Sequence, residues 1–172
     1  APLAELFALE VEQLERVLVA LLRAETARAP FRIVAIEQRT DGALGGWTLH
    51  ARVDRIDELA DGSIAIIDYK TSERTSSDWF SPRLRDAQVP LYASHAAGRV
   101  GAAVVARLTP LATTYSGLWS SDAFPGRPSK FARAQPEEQI AVWRAQLLEL
   151  ATELASGDTR IFQANYDDAA KA

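Results

Sequence analysis

Leu14, Val17, Leu18, Leu21 and Leu22 fall at i, i+3, i+4, i+7 and i+8, the spacing of one helical face. With Glu12, Glu15, Arg16 and Arg23 off that face, they predict a helix from Leu3 to about Ala27. Ala29-Pro30 closes it, because the residue before a proline avoids the α region. The period then changes. Phe31 to Thr40, with β-branched Ile33, Val34 and Ile36, reads as a strand, and Asp41-Gly42 and Gly45-Gly46 mark a turn region. Trp47 to about Glu58 is a second strand, and Ala60-Asp61-Gly62 turns into a third, Ser63 to Ser72. Short connections between three strands predict an antiparallel meander.

The third strand carries four apolar residues, Ile64 to Ile67, and then charge. Alternate residues of a strand share a face, so Ile64, Ile66, Asp68 and Lys70 lie together. A carboxylate and an ammonium at the end of a buried strand are costly unless paired or used. After it, Thr71 to about Arg83 is polar loop, and Asp86 to about Ala97 is a short helix with Pro90 near its first turn. Val100–Leu108 and Thr113–Trp119 are strands of small and β-branched residues. Strand, helix, strand in succession predicts a parallel crossover onto the third strand. Ser120 to Gln135 is loop. Pro136-Glu137-Glu138 then opens a helix carrying Ile140, Trp143, Leu147, Leu150 and Leu154 at helical spacing, with Gly157 as its C-cap. Thr159 to Ala172 reads as an unfinished tail. The fold class is α/β (α+β): a mixed sheet of about five strands flanked by helices.

Length and composition narrow this picture. At 172 residues, 48% hydrophobic and 24% charged, the chain is an ordinary soluble domain with a core of its own, and residues 1–172 read as one domain. No apolar run approaches membrane-spanning length, and the acidic, amphipathic N-terminus is no signal peptide. With no cysteine, disulfides, thiolate metal sites and an iron–sulfur cluster within the chain are excluded, which suits the cytoplasm. The absence of methionine and the Ala1-Pro2 start read as a fragment of a longer protein. A net charge of −4 gives no general attraction to nucleic acid, so such a partner needs a local basic surface. Arg23, Arg28, Arg32, Arg39, Arg52, Arg55, Arg74, Arg83 and Arg85 cluster in the first half.

The second strand contains Val53-Asp54-Arg55-Ile56-Asp57, and hairpin register decides what Asp54 meets. A two-residue Asp61-Gly62 loop pairs Ala60 with Ser63 and sends Asp54 to the face opposite Asp68. A three-residue loop, Ala60-Asp61-Gly62, pairs Leu59 with Ser63 and Asp54 with Asp68. Gly62 suits the left-handed position of the longer loop, so an odd-length loop is expected. Two converging carboxylates repel unless a cation lies between them, and Mg2+ is held by one or two carboxylates plus waters and substrate phosphates.

Asp54, then Asp68-Tyr69-Lys70 after a short hairpin, then Gln88 and Tyr92 at i, i+4 on the next helix together resemble the PD-(D/E)XK nuclease superfamily. Within it they resemble the RecB-type branch of probable DNA repair nucleases, over about Leu9 to Tyr166. Glu25, Arg28, Pro30-Phe31 and Glu37 look like the approach to such a domain. The resemblance implies a restriction-endonuclease-like fold and a Mg2+- or Mn2+-dependent deoxyribonuclease acting in DNA repair or recombination, with a helicase subunit or fused helicase domain as partner. It implies that Asp54, Asp68 and the Tyr69 carbonyl bind the metal. Lys70 would orient or help deprotonate the attacking water, and Gln88 and Tyr92 would support the site or touch DNA. A fold kept without activity, as a DNA-binding or scaffolding module, is the alternative. Two features depart from the branch. Neither His50 nor His95 is placed as the upstream histidine ligand, so the third ligand is absent or precedes residue 1, and no cysteine cluster follows the last helix.

Other residues have plainer readings. Asp57 is a surface residue or an arginine's partner. Glu37 leans toward the site or pairs with an arginine. Glu10 and Glu25 are solvated acids or stand-ins for the missing ligand. Tyr92 is core or site. Trp47, Trp79, Trp119 and Trp143 are packing residues rather than base-stacking platforms, and Trp79, whose loop lies near the site, is the one most open to the second reading.

Overall fold

The computed structural model describes residues 2–73, 76–120, 122–132 and 135–157; Arg74 and the expected tail lie outside them. Helix α1 is Pro2–Thr26, followed by strands β1 (Phe31–Leu44), β2 (Trp47–Leu59) and β3 (Ile64–Lys70). A 3-10 turn at Ser76–Trp79 interrupts the expected loop. Then come α2 (Gln88–His95), β4 (Val100–Leu108), β5 (Thr113–Trp119) and α3 (Pro136–Ala155). The five strands form one sheet in the order β1-β2-β3-β4-β5. β3 and β4 are parallel and every other neighbouring pair is antiparallel. The meander and the parallel crossover are therefore both present, in a restriction-endonuclease-like architecture. β1 runs four residues past the expected Thr40, and Gly45 and Gly46, both at positive φ, make the actual turn.

Alternation along β3 divides the core. Ile66 belongs to a cluster with Val89, Tyr92, Val105, Leu118 and Trp143 on the side of α2 and α3, and Ile64 packs against it. Ala65 and Ile67 belong to a second cluster with Ala102, Val104, Trp119 and Phe124 on the opposite side. Trp79 is fully buried and meets Trp143 edge-on, ring centroids 6.1 Å apart. Gly117 makes this packing possible: at φ 145° a Cβ there would meet the Ala103 carbonyl at 2.2 Å and the Trp79 ring at 3.1 Å.

The stripe on α1 is only partly used. Ala20 is buried near the helix's C-terminal end, whereas Leu14, Leu18 and Leu22 remain exposed. α3 ends with Gly157 at φ 70° just beyond the C-cap Ser156, its N–H donating to the Leu154 carbonyl, a left-handed stop of the expected kind. No helix among the described residues is long and apolar enough to cross a membrane.

Candidate active site

The β2–β3 connection settles the register. Leu59 N–H donates to the Ser63 carbonyl at 2.8 Å, Gly62 N–H donates to the Leu59 carbonyl at 3.0 Å, and Gly62 has φ 74°. The loop is the odd-length Ala60-Asp61-Gly62. The ladder continues through Glu58↔Ile64, Asp57↔Ala65 and Ile56↔Ile66 to Arg55↔Ile67. The next step in that register sets Asp54 opposite Asp68. The ladder stops there, and the carboxylate of Asp54 takes over: its Oδ2 accepts the Tyr69 backbone N–H at 2.9 Å. Asp54 thus fills a position at the β2–β3 junction that a strand carbonyl would otherwise occupy.

Asp68, on the α2 side of the sheet, is 1% exposed. Lys70 lies beside it, with Nζ 2.9 Å from Oδ2 and 3.2 Å from Oδ1, and only Oδ1 is in hydrogen-bonding alignment. The first turn of α2 completes the arrangement. Gln88 Nε2 donates to Asp68 Oδ1 at 2.9 Å, Gln88 Oε1 accepts from Lys70 Nζ at 3.0 Å, and Tyr92 OH lies 3.2 Å from Gln88 Nε2. An ammonium only donates and a carboxylate only accepts, so one amide orientation serves both neighbours. Asp86, expected as the first residue of this helix, lies just before it and accepts the Gln88 backbone N–H at 3.2 Å, which fixes the helix start. The Asp-x-Gln spacing ahead of an apolar run was its available signal.

Burial raises the Asp68 carboxyl above its ordinary pKa. Lys70 opposes the shift, and the charges of Asp54 and Asp86 add to it. Oδ2 of Asp68 is buried and accepts no hydrogen bond. A buried oxygen whose neighbour is the Lys70 ammonium, out of hydrogen-bonding alignment, with a second carboxylate across the hairpin, suits a hard divalent cation in its donor chemistry. Among the described residues no three Asp, Glu or His side chains gather closely enough to hold an ion. Such a cation would take its remaining ligands from backbone oxygen, water and substrate.

The remaining expectations sort by face. Asp57 is fully buried, on the side away from Asp68, and is an arginine's partner: Arg28 Nη1 lies 2.8 Å away and Arg55 Nε 2.7 Å away. Glu25 is no solvated helix acid. It accepts from Arg28, from Arg55 at 2.7 Å and from Tyr115 OH at 2.7 Å. Burial opposes its ionisation, but these donors hold its carboxyl below the ordinary value. Glu10 is exposed. Glu37 pairs with Arg52 at 2.9 Å and has φ 52°, a left-handed residue within a strand. His50 contacts Asp41, and His95 contacts the carbonyls of Leu91 and Ala43; neither joins the site. Tyr92 is both core and site, 8% exposed with its hydroxyl on Gln88. Trp79, Trp119 and Trp143 are packing residues, while Trp47 is half exposed.

Five of the nine clustered arginines are paired with acids. Arg28 and Arg55 are buried in the network around Asp57, and Arg32, Arg52 and Arg83 pair with Glu58, Glu37 and Glu153.

A family model for the PD-(D/E)XK nuclease superfamily matches residues 4–166. The chain belongs to this superfamily. No curated protein gives a significant match. The chain thus carries a nuclease fold of a superfamily whose members typically use Mg2+ or Mn2+.

Proposed function

We propose that the chain is a metal-dependent deoxyribonuclease that hydrolyses phosphodiester bonds through Asp54, Asp68 and Lys70. The observation that carries this reading is the state of Asp68. It is a carboxylate 1% exposed, one oxygen of which is ion-paired with Lys70 at 2.9 Å but accepts no aligned hydrogen bond among the described residues, and it faces a second acid across the hairpin. A purely structural ion pair has no need of the second acid or of the amide that spans the pair.

Asp54 and Asp68, with the Tyr69 carbonyl, would hold Mg2+ or Mn2+. When bound, such an ion supplies a water of lowered pKa and polarises a phosphoryl oxygen. Lys70, tethered by Gln88, holds a positive charge at the strand end, where it orients the attacking water and stabilises negative charge developing on phosphorus. Gln88 keeps Lys70 and Asp68 at fixed separation, and Tyr92 keeps Gln88 in place. Action on DNA in repair or recombination, in the cytoplasm and beside a helicase subunit or fused helicase domain, belongs to the same proposal. It rests on the resemblance of these residues to the RecB-type branch.

That no third carboxylate or imidazole gathers there among the described residues favours a second reading, a DNA-binding or scaffolding module that keeps the fold without the chemistry. One experiment separates them. With Mn2+ and DNA, the chain is expected to cleave, and Asp68→Ala or Lys70→Ala to abolish cleavage. A chain that gives no heat in a Mn2+ titration and no cleavage is the non-catalytic module. Cleavage that survives either substitution removes the roles assigned to those residues.

A further inference from the structure

A cation that the proposed chemistry leaves unused lies beside Lys70. In the parallel β3–β4 ladder Asp68 pairs with Val105, Tyr69 with Ala106 and Lys70 with Arg107. Val105 belongs to the α2-side core and Ala106 to the opposite one, so alternation puts Arg107 on the face that carries Asp68 and Lys70. Two cations therefore stand side by side on adjacent strands at the end of the sheet where Asp68 opens. Like charges in that relation are mutually unfavourable unless an anion lies between them.

The surroundings of Arg107 do not explain it as a structural residue. Its Nε is buried and has no hydrogen-bond partner among the described residues. Among the described residues its guanidinium makes one ion pair, Nη2 to Glu73 Oε1 at 3.2 Å, and the Glu73 side chain is 93% exposed. An ion pair with so exposed a partner is worth little. A guanidinium presents Nε and Nη as a planar fork that matches two oxygens of one phosphate. Here the side chain is 35% exposed, and the acid that holds it is one that water already surrounds.

We propose that Arg107 is a substrate-binding residue that grips a backbone phosphate of the nucleic acid next to Lys70, displacing Glu73. This rests on the nuclease reading and extends its site from β3 onto β4.

The test is binding of a fluorescein-labelled single-stranded oligodeoxynucleotide to the whole chain, followed by anisotropy in EDTA over a range of salt. Arg107→Ala is expected to weaken binding roughly tenfold, the loss of a charge-assisted hydrogen-bonded contact. It should also lower the slope of log affinity against log salt by about 0.7, one phosphate contact on a single strand. Arg107→Lys should keep the slope and lose part of the affinity, since an ammonium cannot fork. Glu73→Ala should bind at least as tightly as the wild type. Because it alters an exposed side chain, it carries the test if Arg107→Ala does not fold. Arg99→Ala, at the far end of β4 and paired with Asp61, should change nothing. Arg107→Ala matching the wild type in affinity and slope, or Glu73→Ala binding more weakly, overturns the assignment and leaves the nuclease reading standing. A wild-type chain that binds no DNA overturns both.

Discussion

The carboxylate of Asp54 accepts the backbone N–H of Tyr69 at 2.9 Å, where the β2–β3 ladder ends. One side chain therefore closes the sheet and faces Asp68. The two roles separate by substitution. Asp54→Asn keeps an acceptor for Tyr69 and should unfold within a few tenths of a kcal/mol of the wild type. Asp54→Ala leaves the N–H without its partner and should cost about 1 kcal/mol. Both should lose Mn2+ binding and cleavage. Chemical denaturation beside calorimetry checks this, and an Asn variant that still cleaves at the wild-type rate would remove Asp54 from the chemistry.

Gln88 touches Asp68, Lys70 and Tyr92 at once. Groups that orient a metal's ligands typically matter by roughly 10–100-fold in affinity or rate, and Gln88→Ala is expected to fall in that range. Gln88→Glu keeps the acceptor for Lys70 but sets a carboxylate against Asp68, so it should lose more activity than Gln88→Ala. Tyr92→Phe removes only the hydroxyl and should change the rate less than fivefold. Steady-state rates on one DNA substrate rank the three. Tyr92→Phe falling below Gln88→Ala would mean that Tyr92 does more than steady the amide.

Much of this was legible in the residues. β4 and β5 lie where their small and β-branched runs put them. The odd-length hairpin was expected from Gly62, which sits at φ 74°, and the Leu59–Ser63 hydrogen bond shows its length. What stayed hidden was pairing across long separations. Glu25 and Arg28 around the end of α1, Arg55 and Asp57 on β2, and Tyr115 on β5 come from three separate stretches of the chain, and each alone resembles a surface residue. Their burial depends on β1, β2 and β5 meeting the end of α1, which no local period encodes. Arg107 was missed for a similar reason: its relation to Lys70 exists only through the parallel β3–β4 pairing. The exposed leucines of α1 are the reverse case, a helical pattern that was real and a covering surface that the described residues supply only in part.

The buried network on the far side of the sheet should dominate stability. Asp57 is fully buried between Arg28 and Arg55, and Arg28 also lies over the rings of Phe31 and Phe124 at 3.9 and 4.1 Å. Removing one partner of a buried ion pair costs about 3–5 kcal/mol, because the opposite charge is left uncompensated. Asp57→Ala is expected in that range and Glu58→Ala, on the exposed Arg32 pair, below about 1 kcal/mol. Equal urea midpoints for the two variants would show that the network contributes no more than a surface pair.

The protonation of Asp68 gives a pH dependence of opposite sign to that of an ordinary paired acid. Asp61 shows the ordinary case. Hydrogen bonds from Ser63 and then Arg99 hold it down to about 2. Its contribution is full at neutral pH and is lost as pH falls below the usual aspartate value toward 2. Asp68 is raised, chiefly by burial. Between the unfolded value and its raised folded value, the native chain holds more protons than the unfolded chain, so stability falls as pH rises through that window. Above the window the ionised, buried carboxylate is a net cost. In EDTA at neutral pH, Asp68→Asn should therefore melt above the wild type, and the gap should close as pH is lowered through the window. Saturating Mn2+ should raise the wild-type midpoint, since a ligand bound only to the native state stabilises it, and should leave the Asn variant unmoved. A wild type that melts above Asp68→Asn in EDTA at neutral pH would show that Lys70 and Gln88 fully offset the burial, and the case for an unsatisfied carboxylate awaiting a cation would fail with it.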